Sequence, residues 1–166
     1  MNEDKPEDVL RWDVKELAKA LKISEKDAQE YFTDGRRVSF ILERRIAKEV
    51  LNGKLPESEG TDIDIFDKYS KKWEVRCISK GGVYFCPSYM VGSGRRFDEK
   101  GFLDKLSEIE GYVIADIESF PNIPFWFVKS QEVLKWWRSK KLGTTSKISH
   151  KNALALLLDR SQRSLI

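Results

Sequence analysis

The chain has 166 residues, 40% hydrophobic and 34% charged, enough for one globular domain or for one domain with a small helical appendage. No apolar run approaches the length that spans a bilayer, and the acidic start MNEDKPEDVL lacks the apolar stretch of a secretory signal. Two cysteines outside any CxxC pair, Cys77 and Cys86, with a single histidine, argue against a zinc site and lead us to expect a reduced, cytoplasmic protein.

The net charge of +3 is unevenly spread: residues 1–70 sum to −4 and residues 71–166 to +7. Between 133 and 158, Lys135, Arg138, Lys140, Lys141, Lys147 and Lys151 meet no Asp or Glu, a one-sign stretch of the kind that attracts polyanions.

In chain order, the spacing predicts helices across 7–51. Val14, Leu17, Ala18 and Leu21 recur at helical intervals, residues 23–24 read as a turn with Ser24 as N-cap, and a short helix follows over Glu25–Phe32. After Asp34 and Gly35, Ser39 is a candidate cap for a helix whose buried stripe is Leu42, Ile46, Ala47, Val50 and Leu51; Asn52 and Gly53 stop it. Residues 55–60 (LPESEG) read as a loop.

TDIDIFD (61–67) then alternates with period two, predicting a strand with Ile63 and Ile65 on one face and Asp62 and Asp64 on the other. KYSKK turns the chain into WEVRCIS, with Val75 and Cys77 on one face and Glu74 and Arg76 on the other. Gly81 and Gly82 turn it again into a third strand, VYFCPS. The loop VGSGRR (91–96) leads to a helix over about 98–109. GYVIADI reads as a strand buried on both faces, FWFV as a short strand, then a helix through Trp136 and Trp137, of which at least one is core. A last helix covers about 150–158. The order implies a mixed α/β (α+β) fold, one central sheet flanked by helices.

If the apolar faces of the first two strands point inward, Asp62, Asp64, Glu74 and Arg76 share the other face. Clustered carboxylates repel, and the repulsion grows as water is excluded; a divalent cation relieves it, and a hard ion such as Mg²⁺ takes one or two carboxylates with waters and phosphate oxygens. Such an ion polarises a phosphodiester and activates water, while Arg76 would steady the charge that develops. Glu43, on or beside the preceding helix's buried stripe, is a further candidate. On spacing alone, the pattern also fits an ordinary antiparallel pair with a polar outer face.

These residues resemble the PD-(D/E)XK nuclease superfamily, which includes many type II restriction endonucleases. The match is Asp64 (or Asp62), a gap, and Glu74-Val75-Arg76, preceded by the helix carrying Glu43. The expected element order from about 39 to 117 resembles the family's αβββαβ core, over roughly half the chain. The resemblance implies a nuclease-like core over 39–166 behind an N-terminal helical segment (1–38). It further implies Mg²⁺ (or Mn²⁺) held by Asp64 and Glu74, with Asp62 and Glu43 as secondary carboxylates. Double-stranded DNA is the implied substrate, cut by a homodimer. The family's lysine is here Arg76, which stays protonated and is a poor general base.

DNA contacts are expected from Arg95 and Arg96 with Ser88 and Tyr89, from Arg36 and Arg37, and from Lys140, Lys141, Lys147 and Lys151. VGSGRR lacks the spacing of a Walker loop or a dinucleotide fingerprint. His150 suits a surface or capping role. Residues 17–37 resemble a helix-turn-helix, but Glu25, Asp27 and Glu30 make its second helix acidic, which favours an accessory role. Two other classes stay open: a non-catalytic DNA-binding protein, and an adaptor whose basic stretch meets an acidic partner.

Overall fold

The computed structural model describes residues 8–58 and 62–162. Residues 1–7, 59–61 and 163–166 lie outside it, and with them most of the acidic start, the end of the 55–60 loop and Thr61. The fold is mixed α/β, with a curled five-stranded mixed sheet between two helical layers and a separate two-stranded ribbon.

The first element is a strand, β1 (Asp8–Arg11), where helix was expected; it pairs antiparallel with β6 (Asn122–Lys129) and buries Leu10. Four residues beside a ready-made sheet edge gain ladder hydrogen bonds that so short a helix does not supply. Three helices follow. α1 (Val14–Leu21) is capped by Asp13, whose Oδ1 accepts from Glu16 N at 3.1 Å, and α2 (Glu25–Phe32) by Ser24, whose Oγ accepts from Asp27 N at 3.0 Å.

α3 (Gly35–Arg45) starts earlier than expected. Asp34 caps it, accepting from Arg36 N at 3.0 Å, so Ser39 lies inside the helix, which ends in a π-helical turn over Ile46–Val50.

The strand expected over 61–67 shrinks to β2 (Ile65–Phe66), which pairs with the first residues of β3 (Lys72–Ile78). A bend at Asp64 breaks the alternation: Ile63 packs on one side of the sheet and Ile65 on the other. The third expected strand shrinks to β4 (Val83–Tyr84), which pairs with β7 (Lys147–Ile148) away from the main sheet. The three-strand meander is therefore a two-strand pair plus a ribbon. Gly82, at φ +97°, permits the ribbon: a Cβ there would stand 2.0 Å from the Ile148 carbonyl oxygen.

α4 (Glu99–Glu108), capped by Asp98, carries the chain across to β5 (Gly111–Asp116), parallel to β3 and buried along its whole length. β6 returns antiparallel beside β5 and runs directly into α5 (Ser130–Arg138); α6 (His150–Gln162) closes the described chain. The strand order is β1-β6-β5-β3-β2.

Strand alternation sorts the core into two clusters. Leu42, Trp73, Val75, Val113 and Ala115 pack under α1–α3, whereas Phe102, Leu106, Tyr112, Ile114 and Trp136 pack under α4–α6. Among the described residues no helix is long and apolar enough to cross a membrane.

Candidate active site

β3 is an inner strand along only part of its length. Beyond the two pairs with β2, its outer edge opens into a cleft of about 780 Å³. Adjacent β3 residues face opposite layers, and this builds the walls. Cys77 lies toward α3, close to Gly35, while Arg76 reaches the other way and donates from Nη2 to the Cys86 carbonyl at 3.2 Å. One wall is thus α3, contributing Arg36, Ser39 and Glu43. The other is formed by Tyr84 and the turn carrying Ser88 and Tyr89. The Ser79–Gly82 turn and Lys147 line the same cleft.

Asp64 covers the exposed part of the β3 edge. Its Oδ2 accepts from Val75 N at 2.8 Å, the amide a longer β2 would have paired. Arg76 Nη1 stands 3.7 Å from that oxygen and 3.0 Å from Glu74 Oε2.

The expected polar outer face of β3 does not exist. Glu74 is 4% exposed and Arg76 8%. They share a face with Ile78 and with Tyr112 and Ile114 of β5, because β3 is covered by helices on both sides. Arg76 lies 5.1 Å from the Tyr84 ring centroid and 5.6 Å from that of Tyr112.

A fifth charge completes the group and went unnoticed in the sequence. Lys105 of α4 is buried, its Nζ 2.8 Å from Glu74 Oε1, and it also donates to the Asp62 carbonyl. The signal was present: Phe102, Lys105, Leu106 and Ile109 follow i, i+3, i+4, i+7 spacing, which sets a lysine in the apolar stripe of α4.

Burial drives the electrostatics. It pushes Glu74 up to about 7 against the pull of Arg76, with Asp64's charge adding to the rise. Asp64 is raised by burial, opposed by Arg76, and Glu43 is raised by burial, opposed by Arg44. Arg76 is driven above its ordinary range by Glu74, against the effect of its own burial. Burial also pushes the neighbouring Cys77 thiol up to about 12.

The structure thus brings together Glu43, Asp64, Glu74 and Arg76, with Asp62 exposed at the edge of the cleft. Of the expected substrate contacts, Arg36, Ser88, Tyr89 and Lys147 line it. Arg37 is exposed beside Asp34, at 3.6 Å. Arg95 folds back onto the Ser88 and Val91 carbonyls, at 3.1 and 3.2 Å, and Arg96 is exposed on the same loop.

Lys140, Lys141 and Lys151 do not line the cleft; Lys141 pairs with Asp159 at 3.7 Å. His150 Nε2 lies 3.1 Å from Asp116 Oδ1, tying the start of α6 to the end of β5. The cysteines are free. The chain matches no protein-family profile, no curated protein and no solved structure.

Proposed function

We propose that the protein is a metal-dependent DNA endonuclease acting from the β3 cleft. The observation that carries this is the charged cluster itself: three carboxylates, a lysine and an arginine, from three elements and one loop, converge on an otherwise apolar strand face at the wall of an open cleft. A buried ion cluster is a poor stabiliser, since well-packed apolar residues do as well, so its presence beside a cleft favours chemistry. The run from Asp64 through β3, α4 and the parallel β5 also supports the resemblance to PD-(D/E)XK nucleases.

Among the described residues no three Asp, Glu, His or Cys side chains form a metal cage. The donor set that fits is smaller: Asp64 and Glu74, the one or two carboxylates that Mg²⁺ or Mn²⁺ takes beside waters and phosphate oxygens. Glu74 Oε1 faces the Lys105 ammonium, at 2.8 Å, and Oε2 the Arg76 guanidinium, so a metal at Glu74 would share the carboxylate with these two cations. When bound, such an ion supplies Lewis-acid polarisation of the phosphodiester and a more acidic water.

The chain's own residues do the rest. Arg76 stabilises charge on the equatorial phosphate oxygens. Lys105 reaches Glu74 from α4 and stands where the resemblance puts a strand lysine: as an ammonium it donates to the attacking water and holds it, while the water's proton leaves to solvent in the cleft. Glu43 adds negative charge on the α3 wall, and Arg36, Lys80 and Lys147 hold the flanking phosphates. The homodimer and the palindromic recognition of type II restriction enzymes enter this reading from the resemblance alone.

One observation favours a second reading, a DNA-binding protein without activity. The Arg76 guanidinium stands near both Asp64 and Glu74 and already neutralises part of the charge that a metal would answer. Plasmid cleavage in Mg²⁺ or Mn²⁺ against EDTA decides between them. Metal-dependent cutting that falls at least about 100-fold in Glu74→Gln and Lys105→Met, with unchanged circular dichroism, is the expected result. Intact plasmid that is nevertheless retarded on a gel would establish the second reading.

A further inference from the structure

Beyond Arg36 at its start, the outer face of α3 bears no role in the chemistry above, yet it is built for contact. Arg36, Phe40, Arg44 and Lys48 follow one another at four-residue intervals, a single stripe along the helix and its π-helical end, and Arg37 stands beside Arg36. The carboxylate beside that stripe is the cap Asp34, 3.8 Å from Arg36 and 3.6 Å from Arg37; Glu43 turns into the cleft, and Glu49 is engaged by Arg45 at 2.6 Å.

Arg36 is 96% exposed and lines the mouth of the cleft, so the stripe runs on from the site. In its middle, Phe40 is 56% exposed, with the Arg44 guanidinium 3.3 Å from its ring centroid. An exposed phenyl ring among cations suits a ligand that carries both negative charge and flat aromatic surface. On the other wall, Tyr89 is also 56% exposed.

The cleft restricts the form of that ligand. Its volume is that of a small-molecule pocket, and the Glu74 side chain within it is 5% exposed. A duplex presents its phosphates on a broad, stiff cylinder with its bases stacked inside. An unpaired strand can bend down to the carboxylates and leave its bases free to stack on aromatic rings.

Building on the nuclease reading, we propose that the strand entering the cleft is single-stranded DNA, whose phosphates run along Arg36, Arg37, Arg44 and Lys48 while Phe40 stacks on an unpaired base. Tyr89 offers a second stacking surface on the opposite wall. A duplex is then cut where it is frayed, gapped, flapped or locally unpaired, as in a supercoiled plasmid.

The experiment measures binding in EDTA, so that it is independent of cleavage. Fluorescence anisotropy of a labelled oligothymidylate is compared with that of a duplex of equal length, for the wild type, Phe40→Ala and Phe40→Trp. The expected result is tighter binding of the single strand. Phe40→Ala weakens it about tenfold, Phe40→Trp preserves it, and duplex affinity barely changes.

Equal or tighter duplex binding by the wild type overturns the proposal. So does an unchanged single-strand affinity in Phe40→Ala, including the case where that variant only alters the oligomeric state seen by size exclusion. The two readings fail separately. Ring-dependent single-strand binding without metal-dependent cleavage would remove the nuclease and keep this surface. Duplex cleavage indifferent to Phe40 would do the reverse.

Discussion

At the scale of single residues, Glu74 determines how the site behaves. It is held by Arg76 at 3.0 Å and by Lys105 at 2.8 Å, all three nearly out of water. Removing one member strands the others, and an uncompensated buried charge costs more than the intact cluster contributes. Glu74→Ala is expected to lower unfolding stability by about 3–5 kcal/mol, read from urea denaturation. Replacing Glu74, Arg76 and Lys105 together by apolar residues of similar size should recover most of that loss. A triple variant as unstable as Glu74→Ala would mean that the cluster is needed for the fold, which would weaken the functional argument.

At the scale of elements, α3 links the core to the cleft. Its inner face buries Val38 and Leu42, its edge presents Glu43, and its first turn presents Arg36. The helix starts where it does because Asp34 satisfies the Arg36 amide. Asp34→Ala should cost about 0.5–2 kcal/mol by thermal or urea unfolding, whereas Asp34→Asn, which keeps the cap, should cost only a few tenths. If both variants lose the same amount, the ion pairs from Asp34 to Arg36 and Arg37 matter more than the cap. This start was missed because Ser39 also fits a capping pattern, and only the packing of Val38 draws the helix back to Gly35.

At the scale of the whole molecule, the site and two partly exposed carboxylates outside it respond to pH with opposite signs. Glu74 binds its proton more tightly in the folded state, at about 7 against an ordinary 4.5. Its contribution is therefore fully present below about 4.5 and is lost as pH rises through about 7, worth about 3 kcal/mol in all. Asp64 and Glu43 are shifted the same way. Asp67 and Glu110 act in the other direction. Asp67's own burial would raise it, but hydrogen bonds from Trp73 and the Lys71 and Tyr69 amides hold it low, and Lys129 holds Glu110 low; their contributions are lost on acidification. In EDTA, urea midpoints should thus climb through the acid range and then decline toward pH 7. Midpoints that keep rising between pH 5 and 7 would mean that Glu74 is ionised throughout, its cations outweighing burial.

Much of this was legible along the chain. Local signals sufficed for α2, capped by Ser24, for α4, capped by Asp98, and for β5, whose unbroken apolar run announces a strand covered on both sides. The pairing of Asp64 with Glu74 and Arg76 was readable too, since it needs only a turn between neighbouring segments. What tertiary structure alone decided is long-range. Residues 8–11 became a strand because β6, more than 110 residues later, offers an edge. The 83–84 strand left the meander because β7 was available and Gly82 allowed the approach. The polar face of β3 became buried because α4 crosses over it, carrying in Lys105. Periodicity records which side chains share a face of their own element. It cannot record what covers that face, which depends on segments distant in the chain and close only after folding.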